Sequence, residues 1–343
     1  MEANEKPILL DVNGLSVSFA TDRGPVRAVR DVSFRVHEGE ILSIVGESGS
    51  GKSVTLLSLL GLHDPKTTRV DGAVAFRGKA ILDLPASRMR AIRGKEIGLI
   101  SQDPMTALTP VYTIGWQIAE QIRTHENISA RAARRRAIDL LGEVGLSNPG
   151  EAVDRYPHQL SGGMRQRAVI AMALSCNPAL LVADEPTTAL DVTVQAQVLD
   201  LLRRLRKDFG SAIILITHDM GVVAEVADEV AVMYAGRIVE RGRTEDVFSA
   251  PLHPYTWGLM ASIPPLEGKR LAKLRSIPGM PPTPETIPEG CGFAPRCAFA
   301  RAACTERPPM RRIGSQAALC VIDDDERPAL RRAALPMEET HER

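Results

Sequence analysis

The chain has 343 residues, of which 44 % are hydrophobic and 24 % charged, and Lys plus Arg balance Asp plus Glu at 42 each. A formal charge of zero gives none of the basic excess a nucleic-acid binder usually carries, and the apolar fraction is ordinary for a soluble globular protein with room for more than one core-bearing unit. No stretch reaches the roughly 18 consecutive apolar residues of a membrane-spanning helix, and the run from Ile8 to Val12 is too short for a signal-peptide core. The chain is therefore expected to stay in the cytoplasm and to act at a membrane only through other subunits.

In chain order, residues 8–19 alternate loosely, and residues 32–36 form a second short β segment after a loop containing Gly24 and Pro25. A polar turn at 37–40 leads to the apolar run 41–45. Gly46 to Lys52 breaks that run, and residues 53–62 read as helix, giving strand, glycine loop, helix. Residues 73–100 return to strand character and end in Ile97-Gly98-Leu99-Ile100, whereas 113–145 look helical with 131–136 as a basic solvated face. Ser161 is a good N-cap for a further helix with Ala168, Val169, Met172 and Ala173 on its apolar face. Residues 180–183 form a buried strand ending in two carboxylates. Residues 192–206 form an amphipathic helix through Val194, Val198, Leu201, Leu202 and Leu205, and 212–217 the next strand, a parallel βαβ unit. Residues 229–239 pattern as a hairpin turning at Ala235-Gly236. Past residue 250 Pro and Gly become dense, which predicts a separate appendage rather than more of the same sheet.

Three segments carry chemistry. Gly46-Glu47-Ser48-Gly49-Ser50-Gly51-Lys52-Ser53 fits the phosphate-loop pattern. Glycines let the backbone wind so that N–H groups point at phosphate, and the following helix offers its positive end. Lys52 can reach the β- and γ-phosphates and Ser53 can offer a hydroxyl to Mg²⁺. Next, a buried strand delivers Asp184 to the edge of that site, where it can hold a Mg²⁺-bound water, and puts Glu185 where a hydrolytic water would be polarised. The same two carboxylates could instead be an ordinary cap leading into Pro186. Finally, Ser161, Gly162 and Gly163 open a helix and make a second anion-binding end. One nucleotide rarely needs both ends from one chain, so two subunits packed head to tail, each completing the other's site, are expected.

LSGGMRQR, after GESGSGKS and before LLVADEP, resembles the nucleotide-binding domain of ABC transporters over about residues 8–250. The resemblance implies an α/β fold: a P-loop (RecA-like) core with a parallel sheet, an antiparallel β subdomain, a helical signature subdomain at about 103–168 and a Cys-containing C-terminal appendage. It implies that Gln102 contacts Mg²⁺ and the attacking water and links the core to the helices facing the membrane subunits. It also implies that Asp191 lies on a loop crossing the dimer interface, that His218 is the switch histidine beside the γ-phosphate, and that Phe19 stacks on adenine. A Phe on a short strand is otherwise usually core.

His253-Pro254-Tyr255-Thr256, Ile263-Pro264, Ile277-Pro278-Gly279 and the run from Gly290 to Cys297 resemble the C-terminal region of oligopeptide and dipeptide importer ATPases. That divides the chain into an ABC domain at 7–250, an importer-type C-terminal region at 251–325 and a disordered tail at 326–343. In that group the tail cysteines resemble iron–sulfur ligands. Cys291, Cys297, Cys304 and Cys320 are spaced C-x₅-C-x₆-C-x₁₅-C. The absence of tight C-x₂-C pairs favours a [4Fe–4S] cluster over Cys₄ zinc, with free thiols as the bland alternative. Cys176 reads as a small buried hydrophobe. The implied activity is ATP hydrolysis energising peptide import. The implied partners are a related, non-identical ATPase subunit, two membrane-spanning permease subunits and, indirectly, an extracytoplasmic binding protein. The chain would sit peripherally on the cytoplasmic face of the inner membrane. Nickel, glutathione or sugar are alternative cargoes, and a soluble ABC ATPase acting on nucleic acid or ribosomes is the rival class.

Overall fold

The computed structural model describes residues 6–187, 192–262 and 276–335. Two sheets organise it. The antiparallel sheet has the order β2-β1-β4-β5, built from β1 (Ile8–Thr21), β2 (Gly24–His37), β4 (Thr68–Phe76) and β5 (Lys79–Ala80). The larger sheet has the order β11-β12-β10-β9-β3-β8-β7-β6. Its members are β3 (Ile41–Val45), β6 (Ile97–Ile100), β7 (Leu180–Asp184), β8 (Ala212–Thr217), β9 (Glu229–Tyr234), β10 (Arg237–Arg243), β11 (Arg311–Ile313) and β12 (Gln316–Ala318).

Strands β9, β3, β8, β7 and β6 run parallel. Every residue of β3, β7 and β8 is buried, as continuous apolar strands covered on both faces must be. One face packs with the antiparallel sheet and the helix Lys52–Leu59 around Leu15, Val17, Leu42, Ile44 and Leu56. The other face packs with the helices Ile114–His125, Ala130–Glu143 and Gly162–Leu174 around Ile118, Ala137, Leu141, Ala168 and Leu215.

Several elements differ from the sequence expectation. Gly24 and Pro25 are not loop: β1 and β2 are each 14 residues long and meet at Asp22-Arg23. Pro25 is tolerated because β2 is an edge strand, where a missing N–H costs no ladder bond. The strand-like stretch 73–100 is interrupted. Arg77 and Gly78 take positive φ (49° and 72°), as a tight hairpin turn requires, and a helix, Ala86–Ile92, follows β5. Residues 113–145 are two helices, because Ser129 caps a new one by accepting the N–H of Ala132.

The C-terminal region is not a separate appendage. β12 pairs with β10 (Glu240 opposite Ala318) and β11 with β12, so the tail extends the main sheet, taking up donors and acceptors that the edge of β10 would otherwise expose. Nor does disorder begin at 326. Arg327–Ala334 is a helix whose Arg327 is buried and donates to the carbonyls of Leu252 and Ile322. Residues 336–343, Ile263-Pro264 and Asp191 lie outside the described residues.

Candidate nucleotide site

The neighbours β3, β8, β7 and β6 all end at one edge of the sheet. Registers Val45 with Thr217, Asp184 with Ile216, and Ile100 with Ala183 set those ends side by side. The residues that follow, Gly46, His218, Glu185 and Gln102, are thereby gathered from four distant stretches of chain. Carboxyl ends of parallel strands are where open α/β sheets bind ligands.

The loop after β3 has the backbone that its glycines predict. Gly46 sits at φ +155° with the carbonyl of Met233 only 2.1 Å from where a Cβ would stand, and Gly51 sits at φ +104° against the carbonyl of Ala28. Any side chain at either position would push the loop off the sheet. Lys52 is buried, and its ammonium donates to the carbonyls of Gly46 (2.7 Å) and Glu47 (3.0 Å). Burial lowers its pKa, against the pull of Glu185, Asp184 and Glu47. The Ser50 hydroxyl is buried with no protein partner among the described residues, an oxygen still owed a hydrogen bond. An anionic phosphate meets the needs of the loop's backbone N–H groups, Ser50 and Lys52 together.

Ser53 donates to Asp184 at 3.1 Å. Burial raises the Asp184 pKa, the Ser53 bond lowers it, and the Glu185 charge raises it further. A hydroxyl and a partly buried carboxylate side by side form a hard-oxygen pair suited to Mg²⁺. Glu185 holds φ +47°, a left-handed conformation that non-glycine residues rarely adopt, and its N–H donates to the carbonyl of Ile216. Its carboxylate lies 3.4 Å from His218 Nδ1 and 3.4 Å from Gln102 Nε2. Backbone strain of this kind recurs at functional sites. Gln102 and the His218 ring are largely solvent-exposed.

The remaining candidates lie apart. Ser161 caps the helix Gly162–Leu174, accepting the N–H of Met164, and Gly163 abuts Val194. These contacts belong to the helical side of the molecule and not to its own phosphate loop. Phe19 is half-buried on β1, paired with Val26 and packed edge-on against His63 at 5.3 Å. The tail thiols are neighbours: Cys291 donates its N–H to the Cys304 carbonyl, and Cys291, Cys297 and Cys320 each feel the charge of other tail thiols. Burial pushes Cys297 up to about 11. Among the described residues no set of three or more His, Cys, Asp or Glu side chains converges closely enough to hold a metal ion.

Two groupings escaped the sequence reading. Glu47 is bound by Tyr255 and Arg296 from the C-terminal region. Glu240, fully buried on β10, accepts the N–H groups of Leu252 (2.6 Å) and His253 (2.8 Å), anchoring the start of the helix Pro254–Ala261. Burial raises Glu240 to about 7 and lowers His253 to about 3. A motif containing His253 and Tyr255 was visible in the sequence, but nothing there showed what they touch.

Fold and site together define a P-loop ATPase of the cassette type. Residues 29–188 match the ABC transporter family model and residues 239–304 the oligopeptide/dipeptide transporter C-terminal region. A Brucella abortus (strain 2308) protein named as a peptide import ATP-binding protein is 51 % identical over 91 % of this chain and 94 % of its own length. The Bacillus subtilis (strain 168) oligopeptide transport ATP-binding protein OppD is 52 % identical over 89 % and 86 %. Among solved structures, the ATP-binding cassette MJ0796, a dimer in a post-hydrolysis state with ADP and Pi, aligns with a TM-score of 0.62 and 27 % identity over 68 % of this chain and 98 % of its own. The cassette cbiO1 from Clostridium perfringens, part of the transporter complex cbiONQ, gives 0.60 and 27 % over 71 % and 92 %. The chain belongs to the ATP-hydrolysing subunits of ABC transporters, in the group that carries the oligopeptide/dipeptide C-terminal region.

Proposed function

We propose that this chain is the motor of a peptide importer, working with a second, related ATPase subunit, two permease subunits and, indirectly, an extracytoplasmic binding protein, peripheral to the cytoplasmic face of the membrane. The names of its relatives support the cargo class. Among the described residues no helix is long and apolar enough to cross a membrane. The observation that carries coupling to permeases is an exposed apolar patch on the helical side. Tyr112 and Trp116 stack at 4.0 Å, both nearly half exposed, beside Val111 (69 % exposed), on the stretch that follows Gln102. Exposed aromatics of this size mark a protein-binding surface.

ATP would be clasped between the phosphate loop of one subunit and the Ser161–Gly162–Gly163 helix end of the other, with Asp191 reaching across and Phe19 on the adenine. Glu185 takes the proton from the attacking water, and His218 and Gln102 orient the reacting region. Lys52 stabilises charge on the transferred phosphoryl. Ser53, Asp184 and Gln102 would hold Mg²⁺, which supplies neutralisation of that charge when bound. The four tail thiols stand as candidate ligands of a [4Fe–4S] cluster. The Cys291 N–H bond to the Cys304 carbonyl supports this by holding two of them on adjacent backbone, although no set of three or more ligating side chains converges among the described residues. Iron and sulfide content of the purified chain decides it.

The functional test is reconstitution with the membrane subunits in proteoliposomes. ATP-dependent uptake of a labelled peptide is expected, and Tyr112→Ala with Trp116→Ala should abolish uptake while nucleotide binding persists. Uptake that survives the pair refutes the docking surface, and no peptide uptake by the wild-type assembly refutes the cargo.

A further inference from the structure

Glu47, the second residue of the phosphate loop, is gripped from outside the loop. Its N–H donates to the Tyr255 hydroxyl at 2.8 Å. Its carboxylate receives both arms of the Arg296 guanidinium, at 2.5 and 3.1 Å. Arg296 is only 5 % exposed and is itself braced: it donates to the carbonyls of Pro278 and Ile277 and to the Tyr234 hydroxyl. Tyr234, Tyr255 and Phe293 pack as an aromatic cluster behind it, with ring centroids 4.5 to 5.4 Å apart. Burial opposes the charge of Arg296, yet its bonds to Glu47 and Tyr234 hold the pKa above the usual arginine range. Burial pushes the Tyr255 phenol up, so it stays neutral.

Glu47 also faces inward. Its carbonyl is one of the two that hold the Lys52 ammonium, and it accepts the N–H of Ser50. One residue therefore joins the C-terminal region to the phosphate lysine. Resting on the nucleotide reading of this loop, we propose that Arg296 and Tyr255 are positioning residues for ATP: without touching nucleotide, they fix the loop's first turn and neutralise the Glu47 carboxylate that would otherwise repel the triphosphate. A preorganised loop binds with less ordering cost, and a carboxylate stripped of its buried partner is an uncompensated charge beside an anionic ligand.

The test is equilibrium binding of a fluorescent ATP analogue and of ADP to the full chain, with the melting temperature followed in parallel. Arg296→Gln should weaken both nucleotides about tenfold. Glu47→Gln alone should weaken them less, and the double variant should recover most of the loss, because the orphaned charge is gone. Tyr255→Phe should weaken both severalfold by leaving the Glu47 N–H unpaired. If Arg296→Gln does not fold, Tyr255→Phe and Glu47→Gln carry the test alone. Unchanged affinity in these variants, with only the melting temperature lowered, would show a merely structural tail contact and overturn the proposal. So would a double variant whose losses simply add. Failure of the nucleotide reading itself looks different: Lys52→Ala would then bind as well as wild type.

Discussion

Lys52 is held by two carbonyls of its own loop while buried and short of water. On the proposed function, nucleotide binding exchanges those carbonyls for phosphate oxygens, a stronger charge-assisted contact. Lys52→Ala should therefore lower ATP affinity by at least tenfold in a binding titration. His253 makes a pH prediction. Its Nδ1 accepts the N–H of Tyr255, and burial keeps the ring neutral down to about 3 in the folded state. The unfolded chain protonates it near 6.5. Between those values the unfolded state binds the extra proton, so stability falls as pH drops from about 6.5 toward 3. Glu240 has the opposite sign: raised to about 7, it keeps its proton when folded and sheds it when unfolded, so its contribution declines as pH rises from about 4.5 to 7. The stability advantage of wild type over His253→Asn should thus shrink on acidification in thermal melts. A gap that stays constant from pH 7 to 4 would contradict a neutral buried ring.

At the scale of elements, the helix Pro254–Ala261 is joined to the rest of the C-terminal region by Trp257, which is 1 % exposed, donates its indole N–H to the Pro251 carbonyl at 2.7 Å, packs against Phe299 at 5.4 Å and clusters with Cys320 and Ile322. Trp257→Ala should cost about 3–5 kcal/mol in denaturant unfolding, the range for a buried aromatic truncation, and should open the C-terminal region to limited proteolysis before the core. Equal protection in variant and wild type would refute that role. This junction also shows where sequence reading stops. The glycine loop, the Asp184 strand, the βαβ unit and the Ala235-Gly236 turn were legible because each is a local pattern of period, glycine and apolar run. The placement of β12 beside β10, the burial of Arg327 and the grip of Arg296 on Glu47 join residues 75 to 249 positions apart. No local pattern encodes such a pairing. Composition misled in the same region, because dense Pro and Gly describe how the chain turns and not where it docks. The break between β4 and β5 was missed for a related reason: the positive φ of Arg77 is set by the turn as a whole and not by its residue type.

Across the whole molecule, the row of strand ends and the helical side are two faces joined through the Gln102 segment. Gln102 Nε2 approaches Glu185, and the same stretch runs into the exposed Tyr112–Trp116 stack. On the proposed function, a change at Glu185 therefore has a short covalent route to the surface proposed to meet membrane subunits. The Ser161 helix end makes its own contacts away from the phosphate loop, which is why a second subunit enters the account. Both ideas meet at Glu185, strained at φ +47° between His218 and Gln102. The most direct measurement is phosphate release and sedimentation of Glu185→Gln, with its partner ATPase subunit and MgATP. Retained ATP binding, loss of turnover by a factor of about 10² or more and a stable closed pair are expected. Hydrolysis at the wild-type rate, or a variant that binds ATP and never pairs, would contradict the two-subunit, Glu185-driven motor.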